Sequence, residues 1–394
     1  MSNLFIGIDV SKDFSTVQGL DNSGDKQFYL EISMDAEGFS TLLKKIREVS
    51  NDMSKVLVAM ESTGCYNINL FSFLSSQGIS CFIVNPLLIS NDAKLSLRKT
   101  KTDKKDALTI AQFLLANKDS LRKNYYSQNM QDVRDLSRER ESLTGLISAM
   151  KNDIKRLLQI TFPEVHSVCN RIFTETMLNF LRQFPSARMI QSADPTDIEK
   201  ALIHGKRVLY SAEDIINAAE KSVASESDAK ELILSEKAST VLYLQEKREK
   251  ITELLIESCK AMRIDDLTIM KSIGGVSDIT GSTFLAELGD IKNFSSHKHL
   301  IAFAGLDPAV YQSGQYAGKG KISKRGNKHL RRVIFLMTMC VIRSNHVFQE
   351  YFQRRKNDGL VPIKALFATS HKLIRVIFAM LTKKILFRKE VVDV

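Results

Sequence analysis

The chain has 394 residues, 44% of them apolar and 26% charged, which is the composition of a folded globular protein with sizeable cores. Its length predicts two or three domains. The formal net charge is +11, and residues 315–394 contribute 18 Lys or Arg against four Asp or Glu. A charge this uneven indicates an anionic partner, most commonly nucleic acid.

Several protein classes are excluded by what the sequence lacks. The five cysteines form no C-x-x-C pair, so we expect neither a zinc knuckle nor a disulfide framework, and a reducing cytoplasm fits best. The first apolar run, residues 4–8, is closed by Asp9 and is too short for a signal peptide. The run at 333–342 has ten residues, too few to cross a bilayer, so we expect no membrane association.

The first 120 residues alternate between strand and helix patterns. Two β-like runs joined by the turn-rich segment 21–25 predict a hairpin, and Thr102 is a candidate cap for the last helix. Strands are predicted at 4–10, 15–20, 26–33, 55–61 and 80–85, and helices at 37–50, 67–78 and from about 102. A hairpin followed by β-α-β-α predicts a mixed α/β sheet.

The middle of the chain is strongly helical. Two short heptad seams, one within 131–160 and one within 241–262, predict two long helices that pair antiparallel in one chain or join protomers. The residues of these seams are Leu143, Ile147, Met150, Ile154 and Leu157, then Val241, Leu244, Ile251, Leu255 and Met262. Three of the chain's six prolines lie between them, so we predict an inserted helical subdomain at about 161–228.

A third region begins near residue 266. Gly274 and Gly275 separate two short apolar helices, which is typical of either a helix-hairpin-helix that offers backbone N–H groups to a DNA phosphate or a plain αα-turn. A loop and a basic helical tail follow. The predicted domains are therefore 1–125, 126–265 with its insertion, and 266–394.

Four carboxylates stand out by their positions. Asp9 and Glu61 end predicted strands, and Asp103 and Asp106 are three residues apart on a predicted helix, which places them on one face. Clustered carboxylates need cations, and oxygen ligands of this kind select Mg²⁺ or Mn²⁺, which in pairs can clamp a phosphodiester. The surrounding cations would hold a nucleic-acid backbone: Arg98, Lys99, Lys101, Lys104 and Lys105. Each acid taken alone is also explained as a turn, cap or helix-dipole residue.

A second candidate site lies at 311–332. Four glycines and seven cations there indicate a loop that follows a phosphate backbone, although the spacing is not that of a Walker A loop. The cations are Lys319, Lys321, Lys324, Arg325, Lys328, Arg331 and Arg332. Ser313 is either a turn residue or a nucleophile that attacks a phosphodiester and leaves a covalent DNA–protein link.

Taken together, these motifs resemble those of a known family. GIDVSK (7–12), MESTGCY (60–66) and KTDKKDA (100–106), then SIGGVS, AFAGLDP, YQSG and ISKRGNKHLRR, are similar, in the same order, to the motifs of the DEDD transposases of bacterial insertion sequences, relatives of the Piv-type DNA invertases. The matching motifs run from about 5 to 125 and from about 265 to 345.

The resemblance implies more than the residues do. It implies a RuvC-like, RNase-H-like N-terminal fold, a tetrad of Asp9, Glu61, Asp103 and Asp106 that binds Mg²⁺, and a catalytic Ser313. Lys12 belongs to the first motif and is an expected nucleic-acid contact. Family members are recombinases guided by a structured bridge RNA that pairs with double-stranded donor and target DNA. They exchange strands through a covalent serine intermediate and a Holliday junction. The working form is a tetramer, a dimer of dimers, in the bacterial cytoplasm at the nucleoid.

Three other functional hypotheses compete with the transposase interpretation. A metal-dependent junction nuclease would use the tetrad without Ser313, so Ser313→Ala would spare its activity. An ATP-using, actin-like kinase fold would share the early hairpin and a phosphate loop at 6–12, but the sequence lacks its second phosphate loop. A non-catalytic nucleic-acid-binding protein would tolerate loss of all four carboxylates.

Overall fold

The chain folds into two compact units, Met1–Gln128 and Asn129–Val394, in the computed structural model. For a few positions only the backbone is described. The structure describes residues 3–61, 66–84, 103–118, 121, 128–204, 207–208, 210–309, 312–313, 316–317 and 321–388. The domain boundary predicted near 125 lies close to the division between the units. The boundary predicted at 265 lies within one long helix of the second unit, and the three-domain division stays a prediction.

A five-stranded mixed sheet forms the centre of the first unit. Its strands are β1 (Leu4–Val10), β2 (Phe14–Leu20), β3 (Lys26–Ser33), β4 (Val56–Glu61) and β5 (Ser80–Val84). They are ordered β3-β2-β1-β4-β5; β1, β2 and β3 pair antiparallel, and β4 and β5 run parallel to β1. The predicted strands and hairpin are confirmed, and this mixed sheet, followed by mostly helical chain, is consistent with the expected RNase-H-like fold.

Helices cover both faces of this sheet. They are α1 (Ala36–Val49), α2 (Asn67–Ser76) and α3 (Asp103–Asn117). Alternate residues of a strand point to opposite faces: Ile6 and Ile8 share a core with α1 and α2, whereas Phe5 shares one with Ile110 and Leu114 of α3. The predicted Thr102 cap lies outside the described residues.

Gly7 determines how closely α3 approaches the sheet. A Cβ atom built on Gly7 would lie 2.3 Å from the carbonyl oxygen of Ala107 and 2.3 Å from the nitrogen of Ala111, distances that real Cβ atoms do not show. Only glycine lets the two backbones approach this far. The helix therefore crosses β1 two residues before Asp9.

Two long helices, α4 (Gln128–Thr161) and α10 (Asp228–Lys271), organise the second unit. They run antiparallel, because Arg140 near the start of α4 donates to Thr252 and Asp153 near its end pairs with Lys237. Pairing within one chain, one of the two open alternatives, is therefore observed. Leu143, Ile147, Ile154, Leu157, Val241 and Leu255 of the seams are buried, whereas Met262 is exposed.

The segment between these helices is helical, as predicted. Its helices are α5 (Val165–Val168), α6 (Glu175–Gln183), α7 (Ala187–Ser192), α8 (Pro195–Ala201) and α9 (Ala212–Glu220). They share one apolar core with α4 and α10. The segment closes at its base, where the Ser225 N–H donates to the Ile160 carbonyl at 2.9 Å and Ser222 donates to Glu164.

The rest of the second unit is a helical bundle around one large core. It contains α11 (Asp278–Leu288), α12 (His297–Phe303), α13 (Lys328–Ser344), α14 (His346–Asn357) and α15 (Pro362–Lys383). In the part of the chain that the structure describes, α15 alone is long and apolar enough to span a membrane, and half of that stretch is buried. Leu373, Ile377 and Met380 of α15 are fully buried, as in the core helix of a globular protein.

Candidate active site

Asp9 and Glu61 lie side by side at one edge of the sheet. The last registered pair of β1 and β4 is Ile8 with Met60, and Asp9 and Glu61 are the next residues on strands spaced about 4.8 Å apart. By alternation, Asp9 shares its face with Phe5 and Glu61 shares its face with Ala59, and both faces belong to the core under α3. The predicted meeting of strand ends therefore occurs for these two carboxylates.

The start of α3 lies over the same face. Ala107, Ile110, Ala111 and Leu114 form its buried stripe, and Asp106 immediately precedes this stripe and is partly buried. Asp103 is the first residue of the helix, but its side chain lies outside the described residues. The close contact at Gly7 thus brings the Asp106 end of the helix to the strand ends that carry Asp9 and Glu61.

The donor set fits a hard divalent cation in chemistry, because carboxylate oxygens are the ligands that Mg²⁺ and Mn²⁺ prefer. Among the side chains that the structure describes, no three acidic, histidine or cysteine groups converge closely enough to hold a metal ion. The side chain of Asp103, the remaining member of the predicted tetrad, lies outside the described residues.

Ser313 lies on a small β-hairpin in the second unit. Ser313 of β7 (Gln312–Ser313) pairs with Tyr316 of β8 (Tyr316–Ala317). A further strand pair, β6 (Pro308–Ala309) with β9 (Lys321–Ile322), flanks this hairpin in sequence on both sides. The candidate serine is therefore next to a two-residue connection, in a loop whose two ends are joined by a ladder.

The motifs AFAGLDP and ISKRGNK lie before and after this loop in the sequence. They contact each other next to the ladder. Ser323 donates to the Asp307 carboxylate at 2.5 Å, and the Lys324 N–H donates to the Gly305 carbonyl. Gly326 has a φ of +131°, and a Cβ atom there would lie 2.3 Å from the Phe303 carbonyl oxygen. Glycine is thus required at Gly326 by both conformation and close approach.

A buried carboxylate that the sequence analysis missed supports this loop. Glu287 of α11 is 1% exposed; it accepts two hydrogen bonds from Arg138 of α4, at 3.0 and 3.1 Å, and one from Asn327 at 2.8 Å. Asn327 in turn caps the N-terminus of α13. The hydrogen bonds to Glu287 raise the pKa of Arg138. Glu287 therefore joins three segments of the chain at the end of the ISKRGNK motif.

The predicted nucleic-acid contacts fall into different environments. Lys12, Lys324, Arg325 and Lys328 are exposed. Arg331 donates to the Ala304 carbonyl at 2.9 Å, and Arg332 pairs with Glu141. Gly275 packs on the backbone of α13, where a Cβ atom would lie 2.7 Å from the Cys340 carbonyl oxygen, and Gly274 lies against Ser344. The remaining cations lie outside the described residues or have undescribed side chains: Arg98, Lys99, Lys101, Lys104, Lys105, Lys319 and Lys321.

Known protein families match the two parts of the chain that hold the candidate sites. A DEDD transposase profile matches residues 6–163, and a profile described as the transposase IS116/IS110/IS902 family matches residues 267–353. An uncharacterized 44.8 kDa protein of insertion element IS116 from Streptomyces clavuligerus is 22% identical, over 98% of this chain and 96% of its own. The pilin gene-inverting protein of Moraxella bovis is 22% identical, over 99% of both chains. A transposase for insertion sequence element IS1111A of Coxiella burnetii is 24% identical, over 97% and 91%.

One profile matches the part of the chain that holds the mixed sheet and the other matches the later helical part, and both describe a DNA transposase. The two profiles agree and together cover more than half of the sequence, and the chain belongs to the DEDD transposases of insertion sequences. The resemblance found in the sequence motifs is confirmed.

Proposed function

We propose that this transposase cuts and rejoins DNA strands through a covalent bond between Ser313 and a DNA phosphate. The Ser313 oxygen would attack phosphorus and lose its proton, while the bond from phosphorus to a deoxyribose oxygen breaks and that oxygen gains a proton. The reverse attack by a deoxyribose hydroxyl on the phosphoserine would rejoin the strand. The observation that carries this proposal is the position of Ser313 on a hairpin, which is flanked by a strand ladder and followed by close contacts at Gly326 and Asp307.

The carboxylates of Asp9, Glu61, Asp103 and Asp106 would hold Mg²⁺ or Mn²⁺, which would neutralise charge developing on the phosphodiester. Support comes from the adjacent strand ends of Asp9 and Glu61 and from the approach of α3 over Gly7. The strands and the buried stripe of α3 hold the backbone of this edge in place. They therefore fix the positions from which the carboxylate side chains extend.

The partners proposed are double-stranded donor and target DNA, a noncoding bridge RNA that pairs with both, and three further copies of the chain in a tetramer. The exposed cations Lys324, Arg325 and Lys328 beside the hairpin would contact backbone phosphates. We propose the bacterial cytoplasm, at the nucleoid, as the place of action. Helix α10 leaves Leu254 and Ile264 exposed, and these side chains would contact neighbouring protomers.

A covalent trapping experiment tests the serine step. Full-length protein is co-expressed with RNA from the flanking noncoding DNA, incubated with Mg²⁺ and labelled junction DNA, and denatured. Wild type should give a labelled protein band and Ser313→Ala should give none. Ser344→Ala, an exposed serine at the end of α13, is the control and should keep the band.

Cleavage by Ser313→Ala at the wild-type rate would refute the serine step and establish the second candidate, a metal-dependent junction nuclease that uses the carboxylates alone. That candidate is favoured by one observation: Asp9 and Glu61 are neighbours at the sheet edge. A carboxylate site there would need no contribution from the hairpin. The double variant Asp103→Asn with Asp106→Asn should lose cleavage under both mechanisms while still binding RNA.

A further inference from the structure

Two lysines of α4 lie over one aromatic ring in the inserted segment. Lys151 and Lys155 are one helical turn apart, and their Nζ atoms lie 5.2 and 5.6 Å from the centre of the Phe173 ring. Phe173 is in the loop between α5 and α6. Like charges at this spacing destabilise a helix by a few tenths of a kcal/mol, and the ring offsets this by attracting both ammonium groups.

The ring also forms part of an open groove of about 640 Å³. Lys155, His166, Asn170, Arg171 and Phe173 contribute to its lining. His166, Asn170 and Arg171 are exposed. None of these five side chains is acidic, and Lys155 and Arg171 are cations, so the groove attracts anions.

Further cations continue the row along the helix pair. The charge of Arg248 on α10 affects both Lys151 and Arg140 of α4. The pKa of Lys151 is lowered first by burial and then by the positive charges of Arg248 and Lys155. Burial first, then the charges of Arg248 and Arg332, lower the pKa of Arg140. We call Arg140, Arg248, Lys151, Lys155 and Arg171 the basic row.

The basic row is a local feature and does not reflect the composition of the insertion. Residues 161–227 contain seven Lys or Arg and nine Asp or Glu, so the insertion is slightly acidic. Within the described part of the chain, no member of the basic row forms an ion pair with a carboxylate. Repulsion among these cations is therefore unrelieved inside the molecule and would be relieved by an external polyanion.

We propose that the basic row binds the phosphodiester backbone of duplex DNA outside the point of strand cleavage. From Arg140 to Lys155 the row spans fifteen residue-to-residue steps of helix, about 22 Å, and Arg171 extends it. One strand of duplex DNA has a phosphate about every 3.4 Å along the DNA axis. The basic row is therefore long enough to lie beside roughly six phosphates of that strand. A small anion would occupy only part of it.

The choice of DNA rests on the family assignment, since a transposase handles long duplex DNA on both sides of its cut. It does not rest on the chemistry of Ser313. The row presents cations spaced along a helix pair over one covered ring, an arrangement that matches a regularly spaced phosphate backbone. We therefore expect binding that is independent of sequence and strongly dependent on salt.

The test measures binding of the full chain to a labelled 40-base-pair duplex of unrelated sequence between 50 and 300 mM salt. The test variant is Lys151→Gln with Lys155→Gln, whose side chains still cover Phe173. The control is Lys200→Gln with Lys221→Gln, two exposed lysines of the insertion outside the groove that remove the same charge. A structured RNA and a duplex RNA are measured in parallel.

The slope of log affinity against log salt concentration is negative. Its magnitude should decrease by about 1.8 in the test variant, since each phosphate contact contributes about 0.9. It should stay at the wild-type value in the control. An unchanged slope in the test variant, or an equal fall in the control, would overturn the proposal, as would a loss confined to RNA. Ser313→Ala should not change the slope, so a failure of this inference is distinguishable from a failure of the serine mechanism.

Discussion

Replacing Gly7 by alanine tests whether the approach of α3 to the sheet builds the carboxylate site. The new Cβ atom would lie 2.3 Å from both the Ala107 oxygen and the Ala111 nitrogen. Both are backbone atoms of one helix, so no rotamer change relieves the contact. The helix would have to lift by about 1 Å, a gap that already forfeits a quarter to a half of each dispersion contact along its buried stripe.

The expected cost of Gly7→Ala is about 1–3 kcal/mol in the free energy of unfolding of the first unit, the range for overpacked cores. A more specific consequence concerns activity. Because Asp106 precedes the stripe that must lift, its carboxylate would move away from the strand ends of Asp9 and Glu61. Strand cleavage should fall by more than tenfold even at low temperature, where the variant remains folded.

Urea unfolding followed by far-ultraviolet circular dichroism measures the first effect, and cleavage of labelled junction DNA measures the second. Gly145→Ala is the matched control, since it is the same change on α4 with nothing within 4 Å of the new Cβ atom; it should stabilise by about 0.5–1 kcal/mol. If Gly7→Ala unfolded at the wild-type urea concentration and cleaved normally, the dependence of the site on this contact would be refuted.

Three further predictions concern the second unit. Glu287→Gln should destabilise by about 1–2 kcal/mol, because Glu287 is buried but its partner Arg138 is 42% exposed and stays solvated, whereas Glu246→Gln on the surface should change urea unfolding by less than about 0.5 kcal/mol. Gly326→Ala should abolish covalent trapping by lifting the loop from the Phe303 carbonyl; Gly359→Ala, which also has positive φ but open space around it, should keep trapping. Although burial opposes it, hydrogen bonds from Lys384 and Arg263 lower the pKa of Asp266 below its ordinary 3.8. A carboxyl with a lowered folded pKa contributes stability above its unfolded pKa and loses that contribution as the pH falls through the folded pKa. Wild type should therefore exceed Asp266→Asn in urea resistance at pH 7, and this advantage should shrink as the pH falls below the ordinary value of 3.8.

The elements of the first unit were predictable because their signals are local. Each strand is a short apolar run bounded by turn residues, and the ends of β1 and β4 are visible as the acids that close those runs. The carboxylate edge followed from this, because parallel strands end together. Gly7 was not recognised, since its partner lies about a hundred residues away and a glycine in a strand carries no local sign of what approaches it.

The second unit was less predictable because its main features join distant segments. The seams of α4 and α10 predicted helices but left open whether they pair within one chain, which depends on contacts such as Asp153 with Lys237. Glu287 looks like an ordinary acid at the end of a short helix, and its partner Arg138 is 149 residues away. Sequence spacing cannot show such a pair, although an acid in an otherwise apolar stretch, FLAEL, was a usable sign of burial.

The closed base of the insertion has a consequence for how the two long helices are connected. Because the Ser225 N–H meets the Ile160 carbonyl, the chain leaves the α4–α10 hairpin and returns to it at nearly the same point. The register of α4 against α10 is therefore set by their own contacts, such as Asp153 with Lys237. The insertion also covers apolar side chains of both helices, so a variant with a short turn between Ile160 and Asp228 should keep this register but lose stability.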